Sequence, residues 1–441
     1  APGNVANSKY GGSLSKNDHW YLHQAFGMVG DPGLSGAMEA TGGIIGEYVD
    51  PGPGAVYRTH TFTASGSFVV SKIGSRDPAG ANLDYLIIAG GGGGGGAYEA
   101  GGGGAGGYRA STPEGPGGPS PTAESKYGAA VGTYTVTIGA GGAGGDDDPQ
   151  GPLGIGNDGS DTAFFPAPVS SPDPTYMSAV GGGGGGTYYS PSPPATIVLG
   201  RDGGSGGGAA NTHPGTTGPF AGGEGTANQG YDGGTRGNQA HGTLHNGSGG
   251  GGAGSVGASN TDNTIEGSTG GDGKASTITG TSITRAGGGG GGTWKPGSGS
   301  PPTGTGGAGG PGGGGVGGNG PPGTPASVDA TDATESTGSG GGGSGGNTGF
   351  GGAGGSGIVV LRYPIASSTG TAKASGGEIR FYGGKTIHTF VNSATFTTDA
   401  GFNETCEVVI IGGGGGGGED QGGAGGAGCW QEKSIAISTP T

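Results

Sequence analysis

Tyr85-Leu86-Ile87-Ile88-Ala89 runs straight into seven consecutive glycines at 90–96. An apolar run of strand length is followed at once by a tract with no side chains. The same arrangement returns later, where Val408-Val409-Ile410-Ile411 precedes seven glycines at 412–418. The lead-ins match too: Thr59-His60-Thr61-Phe62 against Ile387-His388-Thr389-Phe390, and Thr41-Gly42-Gly43 against Ser375-Gly376-Gly377. An internal repeat of this kind sets the organisation. Residues 39–363 form one glycine-rich module, 364–374 a linker, and 375–441 the start of a second, incomplete module. His60 and His388 occupy matching places, which points to a structural hydrogen bond at a strand start. Residues 1–38, with Trp20, Tyr21, Phe26, His19 and His23, differ in composition and read as an N-terminal attachment or docking segment.

The chain has 441 residues, of which 128 are Gly and 29 Pro, and only 29% are hydrophobic. That leaves too little Leu, Ile, Val and Phe for the core of a conventional globular enzyme. Lys and Arg total 17 against 32 Asp and Glu, a formal net charge of −15, the wrong sign for phosphate and so against nucleic acid as a partner. No run approaches the roughly 20 apolar residues that span a bilayer, so no membrane insertion is expected.

Glycine at this level suggests a flexible chain unless it is periodic. Here it is periodic. Ser344, Asn347, Phe350, Ala353 and Ser356 fall three apart, as do Gln421, Ala424, Ala427 and Trp430. Thr305, Ala308 and Pro311 do the same, and so do the pairs Ala140/Ala143 and Ala105/Tyr108. A left-handed helix of three residues per turn has that period and leaves its N–H and C=O groups free to bond sideways. Pure tracts at 90–96, 181–186, 287–292 and 412–418 suit interior helices, and the period-three tracts suit outer ones. Strands are read at Thr61–Phe62 and Ser67–Val70 as a hairpin turning at Ala64-Ser65-Gly66. Others are read at Thr133–Ile138, where Tyr134, Val136 and Ile138 share a face, and at Ile358–Tyr363. The expected fold is therefore mostly irregular and all-β. It is a layered polyglycine II bundle capped by small antiparallel β-hairpins, with no large helical content.

Long irregular segments join the tracts, and such segments on a rigid scaffold are where recognition resides. Phe164, Phe165, Tyr176, Tyr188, Tyr189, Phe220, Tyr231, Arg236 and Trp294 are the candidate receptor-binding residues, since aromatics and Arg dominate adaptable binding surfaces. No catalytic residue, metal site or cofactor is expected. His241 and His245 have a ligand-like spacing without a helix to carry it. Asp146-Asp147-Asp148 lacks the alternating ligands of a calcium loop. Cys406 and Cys429 could pair or remain reduced.

The order of motifs resembles a known family. It runs through the His-Thr-Phe segment, Tyr85–Ala89 with its tract, the glycines at 101–107 with Tyr108-Arg109, Gly132–Gly139, and Gly355-Ser356-Gly357-Ile358-Val359-Val360-Leu361-Arg362-Tyr363. It resembles the glycine-rich domains of bacteriophage tail-fibre and virion surface proteins. It is similar in principle to tip adhesins in which a polyglycine II sandwich presents variable loops. The resemblance implies a non-enzymatic fibre or adhesin at a virion surface or otherwise extracellular. Its partners would be a host cell-surface glycan or outer-membrane protein, other fibre subunits, or further copies of itself. The alternatives are a purely structural virion decoration or extracellular filament subunit and, from another class, an ice-binding protein.

Overall fold

The computed structural model describes residues 38–50, 55–73, 81–97, 99–119, 122–147, 154–167, 176–187, 199–210, 220–237, 245–260, 266–294, 304–320, 329–346, 349–367, 373–382, 385–390, 393–413 and 428–438. These residues are all-β, with no α-helix among them. The chain divides into two compact units, residues 1–368 and 369–441. Residues 1–37, including the N-terminal aromatic cluster, lie outside the described residues.

The first unit opens with β1 (Glu39–Thr41), β2 (Ile44–Val49), β3 (Ala55–Phe62), β4 (Gly66–Lys72) and β5 (Ala81–Ile88). Then come β6 (Tyr108–Ala110), β7 (Tyr127–Ala129), β8 (Gly132–Thr137), β9 (Thr162–Pro166) and β10 (Met177–Ala179). Short ladders follow: β11 (His245–Asn246), β12 (Lys274–Ser276), β13 (Ile283–Arg285), β14 (Thr293–Trp294) and β15 (Asn319–Gly320). The long β16 (Ile358–Ser367) ends the unit. One sheet has the order β1-β4-β8-β9-β10 and the other β2-β3-β16-β5-β6. The expected hairpin at 61–70 is thus a corner: β3 pairs with β2 and β16, whereas β4 pairs with β1 and β8. The chain changes sheets there because Phe62, Phe68 and Val70 all enter a single core.

That core joins Phe62, Phe68, Tyr134, Val136 and Phe164 to Leu83, Tyr85, Ile87, Leu361 and Tyr363. Alternate residues Leu86, Ile88, Ile358 and Val360 point the other way and pack with Tyr108, Ile278 and Ala253. Burial on both faces explains why β5 and β16 read as unbroken apolar runs. Each fully buried Leu, Ile or Phe contributes roughly 1.5–3 kcal/mol.

His60, in β3 between β2 and β16, is fully buried. Its Nδ1 lies 2.7 Å from the Gly42 carbonyl and its Nε2 3.1 Å from the Tyr363 hydroxyl. In the neutral tautomer that satisfies both groups, Nδ1–H donates to the carbonyl and Tyr363 donates to Nε2. Burial holds the imidazole down at about 4. The folded value lies below the ordinary 6.5, so this stability is present above pH 6.5 and is lost as pH falls through about 4. The first unit should therefore lose on the order of 3 kcal/mol over that window through this one side chain. Unfolding midpoints of wild type and His60→Gln against pH check this. The wild-type curve should fall more steeply between pH 6.5 and 4.

The glycine tracts leave these sheets as extended rods bonded sideways. In rod 90–97, Gly90, Gly93 and Gly96 donate to Ser160, Asn157 and Gly154 at 3.0, 2.9 and 2.7 Å. Gly91, Gly94 and Ala97 donate to Gly355, Gly352 and Gly349, while Gly92 and Gly95 donate to Gly104 and Gly101. In return its carbonyls accept from Gly142 and Gly145, from Gly182 and Gly185, and from Gly341 and Ser344. Three neighbours receive and three give, and each partner recurs every third residue, as a helix of three residues per turn would produce. Rod 100–107 likewise bonds to six segments: 338–344, 180–186 and 248–251 on the donor side, and 89–95, 205–208 and 289–292 on the acceptor side. Bonds link 139–145, 90–97, 100–107, 247–254 and 256–260 into one row. On its flanks lie a row of 154–161, 181–187 and 204–210 and a row of 349–357, 338–346 and 287–293.

Where a rod's amides find no backbone acceptor on one side, aspartates supply it. Asp158 and Asp161 accept from the amides of Gly184 and Gly181 at 2.9 and 2.8 Å. Asp329 and Asp332 accept from Phe350 and Ala353 at 3.0 and 2.7 Å. Both pairs repeat the spacing of three, and they account for part of the acidic balance.

The period-three reading needs two corrections. Thr305, Ala308, Pro311, Ala140 and Ala143 do face outward. Ala105 and Tyr108, however, are fully buried, turned inward against Ile278 and Ala253. Ser344 is buried on a different rod from Phe350 and Ala353. A side chain every third residue marks one line along a rod, and that line can face a packed cluster as well as solvent.

The second unit holds β17 (Ala374–Ser375), β18 (Glu378–Tyr382), β19 (Lys385–Thr389), β20 (Thr397–Thr398), β21 (Asn403–Ile411) and β22 (Trp430–Ser438). They pair as β17-β20, β18-β19 and β21-β22. Its period-three tract at 421–427 lies outside the described residues. Cys406 and Cys429 are both free thiols.

Candidate functional site

Rod polarity decides where the joining segments go. Rod 90–97 leaves β5 and rod 100–107 returns into β6, so Ala97 and Ala100 lie at the end away from the two large sheets. Ala97 donates to Gly349, and Gly96 to Gly154, which brings the starts of rods 349–357 and 154–161 to the same end. The same register places there Thr187, Ala210, Gly237, Asn260, Trp294 and Gly320. The described residues that flank 148–153, 188–198, 211–219, 238–244, 261–265, 295–303 and 321–328 lie at this distal end, and those seven segments themselves fall outside the described residues.

The described floor of that end is closed by side-chain amides and short ladders. Phe220 and Arg236 exchange backbone bonds at 3.0 and 2.8 Å, and Gly237 donates to the Asn260 carbonyl at 2.8 Å. Asn260 Nδ2 donates to the Asn246 carbonyl, and Asn246 Nδ2 to the Glu266 carbonyl, each at 2.8 Å. Asn246 and His245 in β11 pair with Thr293 and Trp294 of β14, and β14 pairs in parallel with β15. Asn319 accepts from Gly306 through its side chain. An Asn at a rod end can accept or donate where a further glycine neighbour would otherwise be needed. Asn246, Asn260 and Asn319 are therefore site-building residues that aromatic content alone did not single out. Their signal was position, each beside the junction of a glycine tract and an irregular segment.

The expected contact residues scatter. Phe220 and Arg236 pair through their backbones at the distal end, and Trp294 pairs there separately with His245. Arg236 is buried, and burial pulls its guanidinium below its usual range while the Glu99 charge opposes that shift. Tyr231 is half-buried at the sheet end of its rod, where its carbonyl accepts from Gly206. Phe165 and Tyr176 stack with centroids 4.5 Å apart beside β9 and β10, also at the sheet end. Phe164 must be corrected. It is fully buried, stacked 5.2 Å from Tyr134 in the core, so it cannot touch a receptor. Tyr188 and Tyr189 lie outside the described residues, as does His241. Among the described residues no group of three or more His, Cys, Asp or Glu is placed to hold a metal ion.

A family model described as a glycine-rich domain matches residues 63–364. No match is found among curated proteins.

Proposed function

The chain belongs to the glycine-rich domain family, and from that premise we propose that it is a recognition protein of a phage virion surface, a fibre or adhesin component. Its distal segments hold a host cell-surface glycan or outer-membrane protein. The observation that carries this reading is that the described residues flanking seven joining segments gather at one end of a laterally bonded scaffold. Sequence can vary there without disturbing the rods, because the floor beneath is closed by backbone and Asn bonds. The aromatic and polar content of these segments suits sugar faces and hydroxyls.

The test replaces residues 188–198 and 295–303 with Gly/Ser segments of equal length. Adsorption to host cells, or retention on an array of isolated surface glycans, should fall at least tenfold. The unfolding midpoint should move by no more than about 0.5 kcal/mol equivalent. Collapse of folding, or unchanged adsorption with both segments replaced, would sink the proposal. A second reading, a structural subunit, draws on the apolar strand residues exposed in residues 369–441. Sedimentation that shifts with concentration while host cells go unbound favours that one.

A further inference from the structure

Strand alternation gives the sheet β1-β4-β8-β9-β10 two unlike faces. Phe68, Val70, Tyr134, Val136, Phe164 and Met177 turn into the core. The residues between them turn outward: β8 presents Thr133, Thr135 and Thr137, and β4 presents Ser67, Val69 and Ser71. Thr133, Thr137, Ser67 and Ser71 are exposed, and Thr135 and Val69 are half-buried. None of these outward residues is charged. Glu39 and Lys72 pair with each other where β1 meets β4, on the side of the face away from β9. Arg109, which donates to the Ser178 carbonyl at the β10 edge, is paired with Glu124.

A wall rises from this floor. Phe165 in β9 lies opposite Thr135 of β8, and Thr135 lies opposite Ser67 of β4. Tyr176, just before β10, stacks on the Phe165 ring with centroids 4.5 Å apart and planes 28° from parallel. Because β9 runs between β8 and β10, Tyr176 covers the β10 side of that ring, and the other ring face looks over Thr135. Phe165 and Tyr176 are both half-buried.

We propose that this ledge is a binding site for a neutral, hydroxyl-rich oligosaccharide. The C–H face of a sugar ring packs against the open face of Phe165, which Tyr176 holds upright. The sugar hydroxyls exchange hydrogen bonds with Thr133, Thr135, Thr137 and Ser67, whose hydroxyls each donate and accept. The floor reaches across β8 and β4, about 10 Å at the usual strand spacing, so more than one sugar ring lies on it. An acidic sugar finds no cation on the floor and meets the repulsion of a chain with a net charge of −15. The ledge lies at the sheet end, away from the distal segments, and is a second glycan site independent of them.

Cellohexaose, maltohexaose and, as the acidic control, hexagalacturonate are titrated into the full chain and followed by calorimetry. At least one neutral hexasaccharide is expected to bind with millimolar affinity or better, and hexagalacturonate at least tenfold more weakly. Phe165→Ala should weaken neutral binding at least tenfold. Thr135→Val keeps a β-branched side chain and removes only the hydroxyl. It should weaken binding several-fold with the unfolding midpoint unchanged, and it decides the matter if Phe165→Ala fails to fold. The chain with 188–198 and 295–303 replaced by Gly/Ser should bind as wild type does. The proposal is overturned if neither neutral probe binds at about 10 mM, if hexagalacturonate binds as tightly, or if both variants bind like wild type. Binding that is lost on replacing the distal segments but kept in Phe165→Ala would place the sugar at the distal end and overturn it as well.

Discussion

Gly94→Ala should abolish folding of the first unit or cost it more than about 4 kcal/mol, at the extreme of what single substitutions do. A Cβ built there sits 1.9 Å from the Gly342 carbonyl oxygen and 2.3 Å from its carbon. Both are backbone atoms, and Gly342 cannot retreat. Its amide donates to Thr331 at 3.1 Å, and its carbonyl accepts from Gly352 at 2.8 Å. A methyl group would part three rods and strand their hydrogen bonds, each buried orphan costing about 1–3 kcal/mol. The matched control is Gly128→Ala in β7, where a Cβ meets nothing within 4 Å. That change should be neutral or stabilise by about 0.5 kcal/mol through the unfolded chain. Denaturant melts of the two variants make the comparison. Equal midpoints would mean that close approach of backbones is not the reason for glycine.

Asp84→Ala should cost about 3–5 kcal/mol, the penalty for leaving a buried charge without its partner. Arg362 Nη2 and Nε lie 2.7 and 3.2 Å from Asp84 Oδ2, and Lys126 Nζ lies 3.2 Å from the same oxygen. Ser111 donates to Oδ1 at 3.3 Å and accepts from the Tyr85 amide at 2.9 Å. Arg362 also donates to the Tyr48 hydroxyl at 2.7 Å and lies 4.6 Å over the Tyr57 ring. The carboxylate thus ties β5, β16 and the segment before β7 together at one point. The double variant Asp84→Leu with Arg362→Met removes both charges and should recover most of the loss. Unfolding free energies of the single and double variants decide this. A single-variant loss below about 1 kcal/mol would place the pair among ordinary surface ion pairs.

Much of the architecture was legible in the sequence because its two periods are physical. Pure tracts at 90–96, 181–186 and 287–292 read as interior and are buried, whereas Gly412 and Gly413, which open the fourth pure tract at 412–418, are exposed, and the rest of that tract lies outside the described residues. Alternation in Thr133–Ile138 put Tyr134 and Val136 in the core. Sheet assignment was not legible. Phe62 and Phe68 flank what reads as a tight turn, and only the pairing of β3 with β16, about 300 residues away, shows that the turn is a corner. Local sequence carries no record of a partner that distant. The facing of a period-three line was hidden for the same reason, since Ala105 and Ala140 look alike until Ile278 is known to lie over one of them. At the candidate site, aromatic and Arg content named Phe220 and Trp294, whose backbones lie at the distal end, and Arg236, which is there but buried. It also named Phe164, whose strand context in Thr162–Pro166 marks it as core. Asn246 and Asn260 escaped notice because side-chain amides at rod ends act through geometry, not composition.

Amide exchange at glycines 90–96 in the full chain, measured by mass spectrometry or by glycine-selective NMR, addresses the scaffold most directly. Every one of those amides donates to a carbonyl of a neighbouring rod at 2.7–3.0 Å, so protection comparable to that of β5 is predicted. Exchange at the rate of an unstructured peptide, alongside a protected β5, would contradict the laterally bonded array on which the account rests.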